Sequence, residues 1–512
     1  MSRLFPRADW ADAQAIASIA YCNPFTEQRI ELEAAVAGAS GRRAIATWNL
    51  RPDATAQNPV LERVISRTAE LVEPARAAIA KVTPSPEECE CYEAIVFFHL
   101  YHKYVHDLDL LIDNGDQQVS FYDNFSADAT RFLQAPSLRE TRPDAAHLLA
   151  CLYQIRRAFH YTHYFLIGSS QPMATLRAAI WESVFSHDMR RYRAGLYRHM
   201  RDFATLITGP SGTGKELVAR AIGKSQYVAY EPRKRAFVGS PAVHAVNLSA
   251  LSPNLIESEL FGARRGAFTG AESDHTGWFE TCGTTGSVFL DEIGELDPAV
   301  QVKLLRLLQT RTFERIGETQ QREFSGKLIT ATNRSLDTEF EAGRMRPDFY
   351  YRLCADCIRT PTLNAQLKDE PAQLGLLVKH LTRDNAGEDI AIEATPWLVE
   401  WIVTHLGTAY RWSGNVRELE QCIRSLLIHG TYVPIGDNNE RVIEDAQLTL
   451  DQFVARHCTR AYFESGSYVA AAERLATDRR TVKAKLDATY LAELQKKRQG
   501  DMREKVICCL KV

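Results

Sequence analysis

No stretch of this chain is apolar for long enough to cross a bilayer, which takes about 18 residues. Its opening, MSRLFPRADWADAQ, has none of the apolar core of a secretory signal. A membrane span and secretion are therefore not expected, and cytoplasm is the expected compartment. A strong charge of one sign is also missing: 61 Lys and Arg face 64 Asp and Glu, for a formal charge of −3. That balance excludes a protein that coats nucleic acid along its whole surface. The 11 cysteines show no disulfide-like rhythm and read as small buried apolar residues. Internal repeats and low-complexity segments are absent. Residues 1 to about 165 lack the alternating strands with acidic ends that a phosphoryl receiver requires, so phosphorylation is not expected there.

What is present is a long, ordinary globular composition. At 512 residues, with 45% hydrophobic and 24% charged positions, the chain is too long for one core and should divide into about three domains. Apolar periodicity predicts a mostly helical first region, with helices over Glu87–Ile112 and Ala145–Phe159 and a turn at DNGDQQ, 113–118. Residues 205–360 alternate short β-rich runs with helices, which predicts a parallel sheet covered by helices. Residues 365–430 read as helical, Thr431–Asn439 as a linker, and the part from about Leu448 as helical and basic. From Gln452 to Val512 there are 13 Lys and Arg against 7 Asp and Glu, an excess of 6. A basic end on a near-neutral chain points to one DNA-binding module.

The chemistry is concentrated in the middle. Residues 205–215 read TLITGPSGTGK, a strand running into Gly209, Pro210, Ser211, Gly212, Thr213, Gly214 and Lys215, with a helix from Glu216. Glycines let the backbone N–H groups face phosphates, the helix N-terminus adds positive potential, and Lys215 reaches the β- and γ-phosphates. The general pattern places Ser or Thr after the lysine as a Mg²⁺ ligand, whereas this chain has Glu216. Residues 287–292 read SVFLDE, an apolar strand ending in two acids. Asp291 can hold Mg²⁺ through water, and Glu292 can polarise an attacking water. ITATN at 329–333 ends a further strand at Asn333, suited to sensing a γ-phosphate. In RPDFYYR, Arg346 and Arg352 read as lacking an acid partner within the segment. They are either fingers reaching a neighbouring subunit's nucleotide or a pair of surface salt bridges. Arg417, in GNVREL, can approach the nucleotide from the helical lid. ATP and Mg²⁺ are the expected substrate and cofactor.

These residues resemble the AAA+ activators of sigma-54 RNA polymerase, the bacterial enhancer-binding proteins, over about residues 165–430. In that family the phosphate loop ends Gly-Lys-Glu, which makes Glu216 a family mark. ESELFGARRGAFTGA, residues 257–271, is similar to the helix and loop with which the family grips sigma-54; the loop is Gly266, Ala267, Phe268, Thr269, Gly270 and Ala271. Read alone, those six residues are a flexible turn whose Phe packs at home. The resemblance implies that Asn247 couples Glu292 to that loop. It also makes Arg346 and Arg352 the fingers, Asn333 and Arg417 the two sensors, and Arg315–Glu323 a second, shorter pore loop. Two departures stand out. Ser413 replaces the proline of Trp-Pro-Gly-Asn, and TPTLNAQLKDE at 360–370 replaces a Pro-Leu-Arg-Glu-Arg stretch. A basic insert, MRRYRAGLYRHMRD at 189–202, reads as a solvated helix face.

The C-terminal part resembles a Fis-type helix-turn-helix. A helix over Asp451–Glu464 precedes YVAAAERLA, a turn at Thr477 and Asp478, and RRTVKAKL. Asp478 is a good N-cap, Ala471 and Ala472 allow close helix crossing, and Ala476 stands where the turn usually has Gly. Arg479, Arg480, Thr481, Lys483 and Lys485 are the expected DNA contacts; a plain amphipathic bundle is the alternative. In the first region His99, His102 and His106 share a helix face below Cys89 and Cys91, and packing is favoured over a metal site, as for His160 and His163. Cys354 and Cys357 read as core.

The expected fold is thus multidomain. A mostly helical candidate sensory region spans 1–165, an AAA+ α/β P-loop ATPase core 166–362 and a helical lid 363–435. An all-α helix-turn-helix spans 445–492 and a basic tail 493–512. The expected function is ATP-driven remodelling of the sigma-54 RNA polymerase holoenzyme from enhancer-like upstream DNA, in a ring expected to be a hexamer. The alternatives are a remodelling ATPase with a partner outside transcription, or a DNA-binding regulator that keeps only the fold.

Overall fold

A computed structural model describes residues 4–38, 58–135, 137–138, 144–268, 271–334, 336–434 and 450–491. The linker from 435, the tail from 492, and Thr269 and Gly270 of the loop lie outside the described residues. Two compact units are present, Met1–Arg424 and Ser425–Val512.

The first unit opens with helices α1 (Trp10–Tyr21), α2 (Glu27–Ala37), α3 (Pro59–Ile79), α4 (Pro86–Asn114), α5 (Tyr122–Leu133), α6 (Ala145–Phe165) and α7 (Gln171–Phe185). Their ends are set locally. Ser85 and Glu88 close a reciprocal capping box at the start of α4, Pro86 takes the first turn, and Gly115 ends the helix at φ +69°. The helix expected over 87–112 therefore starts one residue earlier and ends two residues later. The three histidines of α4 form no metal group with neighbouring acids or cysteines among the described residues. His102 packs on Phe98 and Tyr101, and His99 on Phe132.

The sheet follows, with β1 (Thr205–Thr208), β2 (Val243–Asn247), β3 (Ser287–Asp291), β4 (Lys327–Thr332) and β5 (Asp356–Arg359), all parallel in the order β2-β3-β4-β1-β5. The strands alternate between two cores, as the period-2 pleat requires. Leu206, Val288, Leu290 and Leu328 face one. Ile207, Phe289, Ile329, Ala331 and Ile358 face the other, which also takes in helix α9 (Lys215–Lys224) and runs without a break into the N-terminal bundle. The bundle and one face of the sheet are a single hydrophobic core.

The insert at 189–202 is not a solvated face. It forms helix α8 (Met189–Ala194) and two short 3₁₀ turns. Tyr192 is buried against Phe185, and Lys327, 1% exposed at the start of β4, donates to the carbonyls of Met200 and Phe203. Burial pulls the Lys327 ammonium down to about 8. The tyrosines and the carbonyl-bound lysine turn a basic string into a joint. Cys354 and Cys357 also depart from expectation: Cys357 is exposed and Cys354 half-buried. The reason is topological, since among the described residues β5 is an edge strand that pairs with β1 alone.

In the second unit, helices Leu450–Ser465, Tyr468–Arg474 and Arg479–Ala484 enclose a small core of Cys458, Ala461, Ala471, Ala472 and Val482. Ser467 and Asp478 cap the second and third of these helices with their side chains. Ala476 takes φ +49°, the conformation for which glycine is usual. Arg479, Arg480, Thr481 and Lys483 are exposed, while Lys485 pairs with Asp451 at 2.7 Å.

Candidate nucleotide site

The phosphate loop links β1 to α9 and needs glycine at two places. Gly209 sits at φ +149°, where a Cβ would meet the Thr360 hydroxyl at 2.1 Å; Gly212, at φ +76°, would meet the Gly414 carbonyl at 2.2 Å. A side chain at either position would push apart the loop and the segments that frame it. Thr213 donates to the Pro210 carbonyl at 2.8 Å and shares a 2.7 Å hydrogen bond with Thr360. The Lys215 ammonium donates to the Gly209 and Pro210 carbonyls at 3.0 and 3.3 Å. Burial lowers its pKa, against the pull of Glu292 and Asp291. Glu216 points away, paired with Arg220 at 2.6 Å.

The acidic strand end lies opposite. Burial raises the pKa of Asp291, against the Glu292 N–H that donates to it at 3.0 Å and the charge of Lys215. Glu292 itself occupies the left-handed region at φ +57°, a strained state for a non-glycine residue. Its carboxylate accepts from the Asn333 N–H at 3.3 Å, so the acid and the strand end expected to sense phosphate are joined directly. Asn247 is not bonded to Glu292. Its carbonyl oxygen accepts from the N–H and hydroxyl of Ser249 at 3.0 and 2.8 Å, an Asx turn at the end of β2, although in register it lies beside Asp291.

The lid residues reach the loop from the third side. Arg417 donates to the Ser211 hydroxyl at 3.0 Å, and Asn415 to the Ser211 carbonyl at 3.0 Å. The Asn415 carbonyl oxygen meanwhile accepts from the Leu363 N–H at 3.0 Å. Asn415 and Thr360 are site residues that motif reading passed over. Asn415 stood inside the noted WSGN stretch, but a lone Thr360 carries no spacing signal. The reading of Arg346 as lacking a local acid is corrected: Asp348, two residues on, takes both its Nε and Nη2, at 3.2 and 2.9 Å. Arg352 is exposed, and no ion pair to it occurs among the described residues.

Away from the nucleotide loop, two further loops lean on one another. Arg264 N–H donates to the Ile316 carbonyl at 3.0 Å, and Gly317 lies so close to Ala267 that a Cβ there would approach the Ala267 methyl to 2.8 Å. Arg315 grips Glu280 with two hydrogen bonds of 2.9 and 2.8 Å, and Arg322 bridges Glu280 and Glu318. Gly266 N–H donates to the Ala271 carbonyl at 2.9 Å, closing the base of the loop, and Phe268 is 37% exposed at its tip.

A sigma-54 interaction domain model matches residues 186–359, which spans the phosphate loop, the loop at 266–271, the acidic strand end and both arginines. The Nif-specific regulatory protein of Azotobacter vinelandii is 41% identical over 218 residues, 43% of this chain and 38% of that one. The transcriptional regulatory protein ZraR of Escherichia coli (strain K12) is 36% identical over 301 residues, 55% of this chain and 62% of that one. The chain thus spans less than two thirds of the length of these curated relatives. The crystal structure of NtrX from Brucella abortus aligns over 72% of this chain and 79% of that one, at 23% identity and a TM-score of 0.40. Among the described residues no helix is long and apolar enough to cross a membrane. Residues 186–359 of this chain thus carry a sigma-54 interaction domain, built on a five-stranded parallel P-loop sheet and similar in sequence to that of these transcriptional regulators.

Proposed function

We propose that this chain binds ATP at residues 209–216 and hydrolyses it to move the 266–271 loop against sigma-54 in the RNA polymerase holoenzyme. In this reading Lys215 and the loop N–H groups hold the phosphates, and Arg417 closes on them from the lid. Mg²⁺ arriving with the nucleotide neutralises phosphate charge, and Asp291 is the residue that would hold it, through water. Glu292 polarises the attacking water. Its hydrogen bond to Asn333 makes it responsive to the strand end nearest the γ-phosphate. Asn247 can serve as a coupling residue only by exchanging its Ser249 bonds for Glu292. Of the two candidate fingers, Arg352 is ready as it stands, whereas Arg346 must first leave Asp348. Copies assemble as a ring, and Arg479, Arg480, Thr481 and Lys483 tether it to upstream DNA. Lys485 joins them only where a phosphate displaces Asp451.

The observation that carries this reading is the containment of the phosphate loop, the acidic strand end and an exposed Phe268 loop within one sigma-54 interaction domain. Phe268→Ala tests it in the full chain. ATP turnover should stay within about twofold of wild type, because among the described residues no hydrogen bond joins the loop to the nucleotide site. Nucleotide-dependent binding of purified sigma-54 should be lost. Wild-type sigma-54 binding by this variant would overturn the assignment of the loop and favour a partner outside transcription.

A further inference from the structure

Cys354 and Cys357 stand at the turn between the helix Pro347–Leu353 and strand β5. Among the nine described cysteines six are buried, and Cys357 alone is exposed. Burial pushes Cys91, Cys151, Cys282 and Cys422 up to about 12, so these stay thiols at neutral pH and are poor partners in disulfide exchange. Cys89 and Cys91 lie two apart on α4 and so point to different faces. Cys354 and Cys357 differ on both counts. Cys354 closes the helix and the backbone turns through Ala355, which brings the two side chains together. The Cys357 Sγ lies 3.6 Å from the Cys354 carbonyl oxygen, and the two thiols share a hydrogen bond. That hydrogen bond, then burial, pushes Cys357 up, so the pair holds no more than one thiolate near neutral pH. Sulfurs already in contact need little side-chain motion to bond.

The two sides of this turn are held differently. On the strand side the Asp356 carboxylate accepts from the Ser183 hydroxyl of α7 and the Thr205 hydroxyl of β1, both at 2.6 Å, and Cys357 pairs in register with Leu206 of β1. On the helix side the Cys354 N–H donates to the Tyr350 carbonyl at 3.0 Å. The strand end is thus tied to two elements and the helix end to its own last turn. A bond between the sulfurs therefore moves the helix end more than the strand. Arg352 is exposed in that last turn, two residues before Cys354. Tyr351, Arg352 and Ala355 line an open cavity of about 510 Å³, which leaves the turn within reach of a small oxidant.

We propose that Cys354 and Cys357 are a redox-modification site: a small disulfide such as oxidised glutathione converts them to an intrachain disulfide, which shifts the helix end bearing Arg352 and slows ATP turnover. The second half rests on the ATPase reading above; the first does not. One cysteine thiolate attacks the glutathione disulfide, bonds to one of its sulfurs and releases one glutathione thiolate. The other cysteine gives up its proton, attacks the protein sulfur of that mixed disulfide and releases the second glutathione. The protein loses two electrons and two protons, and one oxidised glutathione becomes two reduced ones. An exposed disulfide is labile, so the step reverses where reduced glutathione dominates.

The test equilibrates the full chain with mixtures of oxidised and reduced glutathione, traps free thiols with iodoacetamide in denaturant and digests with trypsin. Trypsin cuts after Arg352 and Arg359, so residues 353–359 leave as one peptide with both cysteines. As oxidised glutathione rises, mass spectrometry should show that peptide losing two hydrogens and no longer taking up the alkyl group, while Cys151 and Cys282 stay alkylated throughout. ATP turnover should fall in step by about tenfold or more, the order expected when a group that stabilises transition-state charge is misplaced, and dithiothreitol should restore it. The double variant Cys354→Ser, Cys357→Ser should keep its turnover at every glutathione ratio. A peptide that stays a dithiol, carries only glutathione adducts, or is joined to a cysteine elsewhere overturns the site. A disulfide that forms with turnover unmoved, or a fall that the double variant shares, overturns the coupling. A disulfide that forms in a chain hydrolysing ATP in neither state counts against the ATPase reading and leaves the site standing.

Discussion

The nucleotide site and the cavity of the N-terminal bundle are built in opposite ways. At the nucleotide site nearly every polar group is engaged: Ser211 with Arg417 and Asn415, Thr213 with Thr360, Glu292 with Asn333. It also stores backbone strain, with Glu292 at φ +57° and glycines where no Cβ fits. The cavity shows no such strain, and its wall is largely apolar, with Arg29 and Arg156 each paired to a carboxylate. Strain and crowded hydrogen bonds require particular residues at particular spacings. Apolar walls require only volume, which many sequences supply. That difference separates a region that can be recognised from one that must be seen.

The largest effect that would break this contrast lies in the nucleotide site. Lys215→Ala removes the ammonium held at the loop by the Gly209 and Pro210 carbonyls, and ATP turnover should fall by about 10²-fold or more, as for a lost electrostatic contact to a transition state. A binding titration with a fluorescent ATP analogue, run beside the turnover assay, separates lost affinity from lost chemistry. The bundle should be untouched, so its unfolding should be that of wild type. A variant that hydrolyses normally would remove the loop from the chemistry.

This explains what could be read beforehand. The phosphate loop, the acidic strand and the parallel sheet were legible because each carries a pattern with a mechanism, a glycine here and an acid there. Helices α4 and α6 were legible from periodicity, as was the capped third helix of the second unit through Asp478. The joint at 189–202 was not, because buried tyrosines and a lysine solvated by carbonyls look like a basic surface string. Asp348 beside Arg346 was in plain view and was misread, since a proline lies between them. The Asn247 Asx turn was hidden behind a family role. Cys357 was exposed by sheet order, which no local pattern reports.

A smaller effect would sharpen the comparison at the seam between the two regions. Tyr153 of α6 stacks on Phe237 with ring centroids 4.0 Å apart, where the bundle meets the hairpin that follows α9. Tyr153→Ala should cost about 3 kcal/mol, the order of a buried aromatic truncation. Because bundle and sheet share one core, the loss should appear as a lower midpoint of a single transition in calorimetry. Two separate transitions, with the ATPase core unmoved, would mean the bundle folds as a unit of its own.

The smallest effect concerns pH, and its sign follows from burial. His163 is lowered to about 3, first by desolvation and then by the Arg177 and Arg156 charges. His102 is lowered to about 3 by desolvation, then by Arg29, Arg156 and His99. Unfolded histidine titrates near 6.5, so between roughly pH 6.5 and 3 the unfolded chain binds more protons than the folded one. Stability carried by these neutral rings is therefore complete above about 6.5 and is lost as pH falls towards 3. The melting temperature should decline from pH 7 to pH 5, and His163→Phe should flatten that decline even where it lowers the pH 7 value. Carboxylates of the nucleotide site pull the other way over part of this range: burial raises Asp291, so its deprotonation becomes easier on unfolding, and acid favours the folded form. A melting curve that rises on acidification in the wild type, and equally in His163→Phe, would show that the buried acids and not the bundle histidines set the pH response of this unit.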